Sequence, residues 1–136
     1  FDQAHLVDVP TFGADEILVA YGTNDFTAIA DRKVSFTDVC AHIDSYMERL
    51  ADEAGAANVH VLTPLWRMQN QSTRDDRDVL DSVREKIRTA AVAQGFEVID
   101  GLAVSAHVEG LYIDGLHPND AGALFVANEI ARCIER

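Results

Sequence analysis

The sequence predicts a doubly wound α/β domain, in which helices cover both faces of a parallel sheet. Three apolar runs, at residues 16–21, 58–63 and 96–100, have the length of strands that are buried on both faces. A stretch with apolar residues at every third or fourth position, the helical period, follows each run. Strands that alternate with helices pair in parallel through right-handed crossovers, so we expect the three strands to form one parallel sheet. A single sheet of this kind makes one domain over residues 1–136.

The N-terminal half contributes two helical patterns on either side of the first strand. Residues 1–9 resemble the end of a helix that Pro10 closes. Residues 36–54 keep the helical period throughout, and Ser35 or Thr37 can cap the start of this helix with a side-chain oxygen. Apolar residues on one side of this helix are expected to face the sheet.

The C-terminal half repeats the alternation after a polar interruption. Residues 65–75 are irregular, and residues 76–94 return to helical spacing until Gly95 ends the helix. After the third strand, a connection leads to a last helix, which Asn119 or Asp120 can cap. The order of elements is therefore strand, helix, strand, helix, strand, helix.

Charge and composition exclude several classes of function. The 23 acidic residues outnumber the 11 basic ones and give a formal net charge of −12, so nucleic acid and membranes are not expected partners. No apolar run reaches the roughly 18 residues of a membrane-spanning helix, and the absence of an opening signal segment makes us expect a cytoplasmic rather than a secreted location. Cys40 and Cys133 lack metal or redox spacing and are expected to be structural.

Two short motifs carry the chemistry of the chain. Residues 22–25, Gly-Thr-Asn-Asp, directly follow the first strand, and residues 114–118, Asp-Gly-Leu-His-Pro, lie in the connection after the third. Open parallel sheets bind ligands beyond the carboxyl ends of their strands, where both motifs fall. His117 can act as a base that Asp114 orients, and the Asn24 amide can donate to an oxyanion.

These motifs resemble blocks of a known superfamily. Residues 21–25 resemble the GxND block, and residues 114–119 resemble the DxxHP block, of the SGNH (GDSL-type) esterases and acylhydrolases. Residues 61–66 are similar to the strand and loop between those blocks. The resemblance covers nearly the whole chain but only the C-terminal two thirds of a typical family domain. It implies a flavodoxin-like sheet that here lacks its N-terminal strands.

The resemblance implies a serine ester hydrolase that works through an acyl-enzyme without metal or cofactor. Its substrate is a small-molecule acyl or acetyl ester, including esters on carbohydrates. The implied catalytic residues are His117, Asp114 and Asn24. The expected substrate-binding residues, from the motif and from the loop after the second strand, are Gly22, Thr23, Trp66 and Arg67.

The nucleophile that this site would serve is not in the 136 residues. The family supplies it from a Gly-Asp-Ser block, and none of the five serines follows Gly-Asp at a strand end; they are Ser35, Ser45, Ser72, Ser82 and Ser105. We therefore expect that a missing N-terminal segment or another chain completes the sheet and the site. Without that segment, the first strand is expected to keep an open edge. This chain alone is expected to be inactive.

Other interpretations of the same residues remain open. A non-catalytic α/β binding or scaffold domain that lost its nucleophile fits the sequence as well. Turn and cap chemistry explains each motif taken alone, and Asp25 is expected to be structural. A metal site built from Asp25, Asp114 and His117 lacks a completing ligand. The remaining histidines show no carboxylate partner at meaningful spacing and are expected to be packing residues; they are His5, His42, His60 and His107.

Overall fold

The computed structural model describes residues 13–55, 58–68 and 74–135. The predicted helix end at residues 1–9 lies outside this part. The described elements, in chain order, are β1 (Ile17–Val19), α1 (Thr23–Ala30), α2 (Phe36–Ala54), β2 (Val59–Leu62), α3 (Arg74–Ala93), β3 (Glu97–Ile99), a short 3₁₀ helix (Glu109–Leu111) and α4 (Asp120–Ile134). Strands and helices alternate as the sequence predicts, apart from α1 and the 3₁₀ helix.

The three described strands form one parallel sheet in the order β1-β2-β3. The register pairs Leu18 with His60 and His60 with Glu97, so these three residues form one row across the sheet. All carboxyl ends of the strands therefore meet at one edge. The expected α/β architecture with a parallel sheet is confirmed.

The helices begin where side-chain caps are available. Ser35 caps α2, since its Oγ accepts a hydrogen bond from the Asp38 N–H at 3.1 Å, and the predicted bounds of this helix are confirmed. Asn119 caps α4 by accepting from the Gly122 N–H at 3.0 Å. Such caps satisfy backbone donors that the first turn of a helix leaves without partners.

Helix α1 is an element that sequence reasoning missed. It spans eight residues directly after Gly22, and Phe26 is its one buried residue. The Asn24-Asp25 dipeptide favours turns, which hid the helical period of this short segment. Helix α3 also begins earlier than predicted, at Arg74.

Two apolar clusters cover the two faces of the sheet. Val19, Val59 and Val61 belong to the larger cluster, which the first three helices close. Ile43 and Ile87, on α2 and α3, have no exposed surface in this cluster. Burying such a side chain stabilises the fold by about 1.5–3 kcal/mol. The helical members of the cluster are Phe26, Val39, Ile43, Tyr46, Met47, Leu50, Leu80, Val83, Ile87, Ala90 and Ala91.

The second cluster lies on the opposite face, under α4. It joins Leu62 and Ile99 from the strands to Val104 and Val126. Because side chains alternate along a strand, Leu62 and His60 share this face, whereas Val59 and Val61 share the other. Helices therefore lie on both faces of the sheet.

The prediction that the first strand is buried on both faces is wrong. The strand is shorter than expected, and Leu18 and Tyr21 are 44% and 42% exposed. Among the described strands, β1 has a neighbour only on the β2 side. Leu18 also lies on the α4 face, where the described cluster extends only over the other two strands.

His60 corrects a second expectation, because it does have carboxylate partners. Its ring is buried in the middle strand, with Nε2 2.7 Å from Glu16 Oε2 and Nδ1 2.8 Å from Glu97 Oε2. The Nε2 contact is a hydrogen bond, whereas the Nδ1 contact is close but poorly directed. Glu97 lies on β3 and Glu16 directly precedes β1, and both are distant from His60 in sequence, so spacing along the chain could not reveal them.

Candidate active site

The two motifs lie on either side of one segment at the carboxyl edge of the sheet. Residues 64–68 leave β2, and the Met68 N–H donates to the Gly115 carbonyl at 2.7 Å. On the other side, Arg67 Nη1 is 3.5 Å from the Thr23 carbonyl. The segment therefore joins the start of α1 to the loop that carries Asp114 and His117.

In the second motif, Asp114 and His117 form a hydrogen-bonded pair within one loop. Asp114 Oδ2 is 2.7 Å from His117 Nδ1, and Asp114 Oδ1 accepts from the N–H groups of His117 and Leu116 at 2.8 and 2.9 Å. Gly115 makes the tight loop possible, since its φ of 79° lies in the left-handed region that glycine tolerates. The predicted relation of Asp114 to His117 is present in the structure.

These hydrogen bonds set the charge state of the carboxyl group. The backbone N–H of His117, then its ring, then the Leu116 N–H hold the pKa of Asp114 well below its ordinary value of 3.8. The carboxylate is therefore ionised at neutral pH and accepts from Nδ1. Nε2 is the ring nitrogen left for proton transfer, and the His117 side chain is 68% exposed.

The first motif is a backbone turn that starts α1. Gly22 has a φ of 114° and is buried, and a Cβ at this position would lie 2.6 Å from Ile87 Cδ1 and 3.1 Å from Pro64 Cγ. The first helical hydrogen bond of α1 runs from the Phe26 N–H to the Gly22 carbonyl at 3.1 Å. Asn24 lies within this first turn with an exposed side chain.

The segment after β2 is anchored from the β3 side. The Trp66 N–H donates to Ser105 Oγ at 2.9 Å, and Ser105 Oγ donates to the Gly101 carbonyl at 2.5 Å. The Trp66 ring stacks on His107 with 5.1 Å between centroids and contacts Tyr112 at 5.3 Å. These contacts fix the position of the Trp66 side chain beside the carboxyl edge of the sheet.

Arg67 occupies the space between the two motifs. Its side chain is 6% exposed, and its guanidinium carbon lies 5.1 Å from the centre of the Phe26 ring. Burial lowers the pKa of Arg67, Arg84 lowers it further, and the nearby Asp114 carboxylate opposes both effects. The guanidinium remains charged, because arginine does not lose its proton in proteins.

The described residues lack a grouping of metal ligands and a helix suited to a membrane. In residues 13–55, 58–68 and 74–135, no three His, Cys, Asp or Glu side chains are grouped so that they could hold a metal ion. No helix of this part combines the length and the apolar character that crossing a bilayer requires. Cys40 and Cys133 are half-buried free thiols.

Comparison with known proteins identifies the family. A family model described as GDSL-like lipase/acylhydrolase matches residues 1–124. The chain belongs to this family. The two motifs thus occur in a GDSL-like chain whose described fold places them at one edge of the sheet.

Solved structures agree with this GDSL-like fold. LAE5, an α/β hydrolase from the metagenome of Lake Arreo, Spain, is 21% identical with a TM-score of 0.73, over 94% of this chain and 63% of that one. A catalytic mutant of Axe2, an acetylxylan esterase from Geobacillus stearothermophilus, is 19% identical with a TM-score of 0.73, over 93% of this chain and 62% of that one. This chain therefore spans less than two thirds of either neighbour. Among curated protein sequences, none matches it significantly.

Arg84 is a residue of this GDSL-like site that sequence reasoning missed. From α3, its Nε and Nη2 donate to the carbonyls of Pro64 and Leu65 at 2.8 and 2.9 Å. Its Nη1 donates to Asp81 at 2.9 Å. Arg84 thereby fixes the segment that presents Trp66 and Arg67. No local pattern marks it, since its main partners are backbone carbonyls about twenty residues earlier in the chain.

Proposed function

We propose that this chain supplies the base and the oxyanion donor of a serine ester hydrolase that acts through an acyl-enzyme. The observation that carries the proposal is the Asp114–His117 pair, joined at 2.7 Å on an exposed loop at the carboxyl edge of the sheet. Membership of the GDSL-like family supports hydrolysis of esters. The proposed substrates are small acyl or acetyl esters, including esters carried by carbohydrates.

The geometry supports a two-step reaction. His117 Nε2 takes the proton of the nucleophilic hydroxyl as its oxygen attacks the acyl carbonyl, and Asp114 stabilises the imidazolium that forms. The imidazolium then protonates the departing alcohol, which leaves an acyl ester on the nucleophile. A water molecule, deprotonated by the same imidazole, then attacks the acyl carbonyl, and the imidazolium returns the proton to the nucleophile oxygen as its bond to the acyl group breaks and the acid leaves.

The oxyanion of each tetrahedral intermediate needs hydrogen-bond donors. The exposed Asn24 amide is proposed for this role, and the N–H groups at the start of α1 add to the positive end of the helix dipole. Removing one such donor typically costs about 10²–10³ in turnover. Gly22 and Thr23 are proposed to shape this turn, with Trp66 and Arg67 as the neighbouring substrate wall.

The nucleophile is proposed to come from outside these 136 residues, on a segment or second chain that pairs with β1. The exposed Leu18 and the single described neighbour of β1 support this arrangement. Three of the described serines already make structural hydrogen bonds, since Ser35 caps α2, Ser82 donates to the Asp78 carbonyl at 2.7 Å, and Ser105 accepts from the Trp66 N–H. A strand beside β1 would also cover the open edge.

The test combines a mass measurement with kinetics on the protein as the cell makes it. Intact mass and N-terminal sequencing would show whether Gly-Asp-Ser precedes Phe1, and p-nitrophenyl acetate would measure turnover. We expect His117→Ala to lower kcat/KM by at least about 10³-fold, because the hydroxyl loses its base. His42→Ala on α2 serves as the matched control and should retain activity. Full activity of His117→Ala would overturn the proposal.

The second candidate is a non-catalytic binding or scaffold domain. The absence of Gly-Asp-Ser from the 136 residues favours it. A native polypeptide that starts at Phe1, pairs with no other chain and shows no ester turnover would establish this alternative.

A further inference from the structure

A cavity of about 360 Å³ lies beside the Trp66–Arg67 segment. We call it the arginine cavity; its lining includes Trp66, Arg67, Arg77, Leu80, Arg84 and His107. Its volume falls in the range of small-molecule sites, roughly 300–1,000 Å³. Three guanidinium groups line it in a chain whose net charge is −12, whereas Asp81 is the one carboxylate among its described lining residues. The cavity therefore has a charge opposite to that of the whole chain.

Arg67 is buried in this cavity without a full set of partners. It is 6% exposed, and its Nε–H has no hydrogen-bond acceptor among the described residues. Its Nη1 contacts are long, at 3.5 Å to the Thr23 carbonyl and 3.3 Å to Thr27 Oγ1. A buried donor left unpaired costs about 1–3 kcal/mol, and more when it is charged. An anion in the cavity would stabilise the charge of this guanidinium group.

The other two arginines differ in how firmly they are held. Three hydrogen bonds fix Arg84, two of them to backbone carbonyls, so it contributes charge from a constant position. Arg77 is exposed on α3 at the mouth of the cavity. The cavity thus has one fixed, one buried and one accessible guanidinium.

Apolar surface completes the cavity. The Trp66 ring is nearly parallel to His107, with 22° between their planes, and Leu80 and Leu102 lie on the same lining. An aromatic face beside several donors suits a ring that carries both hydroxyl groups and a carboxylate. Carboxylates also match the planar fork of arginine.

We propose that the arginine cavity is a subsite for a carboxylate on the alcohol part of the ester, such as that of a sugar acid. This inference rests on the proposed ester hydrolase and narrows its substrate class. Met68 directly follows the lining residue Arg67, and its hydrogen bond with Gly115 joins this segment to the loop of Asp114 and His117. A substrate held there by its carboxylate would present its acyl group toward that loop.

Direct binding tests the subsite without any need for turnover. Isothermal titration calorimetry of the native protein would compare D-glucuronate with the neutral control D-glucose, at low and at physiological salt. We expect glucuronate to bind at least about five-fold more tightly than glucose, and salt to weaken only glucuronate, since charge-assisted hydrogen bonds carry the difference. Equal affinity for the two sugars would overturn the inference.

The variant Arg77→Gln locates the site. We expect it to weaken glucuronate binding by at least about five-fold, while the control Arg88→Gln, an exposed arginine on the same helix, binds as the wild type does. Unchanged binding in Arg77→Gln would overturn the location. Arg77 is exposed, so its replacement does not depend on repacking the core.

Two further outcomes separate this inference from the proposed function. If the native protein binds glucuronate but shows no ester turnover, the proposed hydrolase function is wrong and the proposed anion site is supported. If the protein hydrolyses esters of neutral alcohols faster than esters of carboxylate-bearing alcohols, the proposed hydrolase function is supported and the proposed carboxylate subsite is wrong. Tight binding of inorganic phosphate without binding of glucuronate would also overturn the assignment to a carboxylate.

Discussion

His117 and His60 each lie 2.7 Å from a carboxylate oxygen, but their side chains are 68% and 8% exposed. The carboxylate of His117 is three residues away on its own loop, and it leaves Nε2 facing outward. The two carboxylates near His60 belong to Glu97 on β3 and to Glu16 directly before β1, and one lies close to each ring nitrogen. The His117 ring is therefore oriented and accessible to solvent, whereas the His60 ring is buried.

This difference fits the reactive role proposed for His117 and a structural role for His60. A base must reach its substrate with a free nitrogen, so orientation by one carboxylate serves catalysis. The buried ring of His60 instead hydrogen-bonds through Nε2 to Glu16, which directly precedes β1, and lies close to Glu97 on β3. We therefore expect changes at His117 and its partner to affect turnover, and changes at His60 to affect the free energy of unfolding.

The largest expected effect is on the exposed pair. Under the proposed function, Asp114→Asn in the native protein should lower kcat/KM by about 10³–10⁴-fold, because the amide would no longer stabilise the imidazolium or fix its tautomer. Asp31→Asn, an exposed aspartate paired with Lys33, is the matched control. The measurement is p-nitrophenyl acetate turnover together with the thermal midpoint. If kcat/KM of the folded variant falls by less than ten-fold, Asp114 does not have the proposed role.

The second effect concerns the enclosed imidazole. His60→Ala should lower the free energy of unfolding by about 1–3 kcal/mol, because it removes a buried ring and its partners at the centre of the sheet. His60→Val should cost less, since a β-branched residue fills a buried strand position without a polar group. Urea denaturation measures both, with His42→Ala as a control. A large loss of turnover with unchanged stability would contradict a structural role.

The smallest effect is a shift in titration. The pKa of Asp114 in the fold is below its ordinary value of 3.8, so its stabilising contribution is complete above that value and is lost as pH falls through the folded pKa. A carbon-13 NMR titration should find the Asp114 carboxyl still ionised at pH 3.8. In His117→Ala the titration midpoint should rise only part of the way, because the backbone N–H groups at positions 116 and 117 still donate. An unchanged midpoint would mean that the His117 ring does not contribute to the lowered pKa of Asp114.

Local features of the fold and site were predictable from sequence. The apolar spacing and the Ser35 cap gave the bounds of α2, and the three-residue interval between Asp114 and His117 predicted their contact. Both depend on interactions within one turn or one loop, which spacing along the chain encodes directly.

Features that depend on tertiary packing were not predictable in this way. The partners of His60 lie on other strands, and the exposure of Leu18 follows from its place at the edge of the described sheet. The arginine cavity brings α3 against the segment after β2. Nothing in the local sequence at Arg84 shows that its donors would meet the carbonyls of Pro64 and Leu65.

The hydrogen bond from the Met68 N–H to the Gly115 carbonyl, at 2.7 Å, has a consequence for the evolution of this edge. It involves main-chain atoms only, so the side chain at position 68 can change without breaking it. The side chain at this end of the segment after β2 can therefore change while the Asp114 loop keeps its main-chain contact with the segment. A main-chain contact of this kind depends on the path of the backbone and not on which side chain stands at position 68.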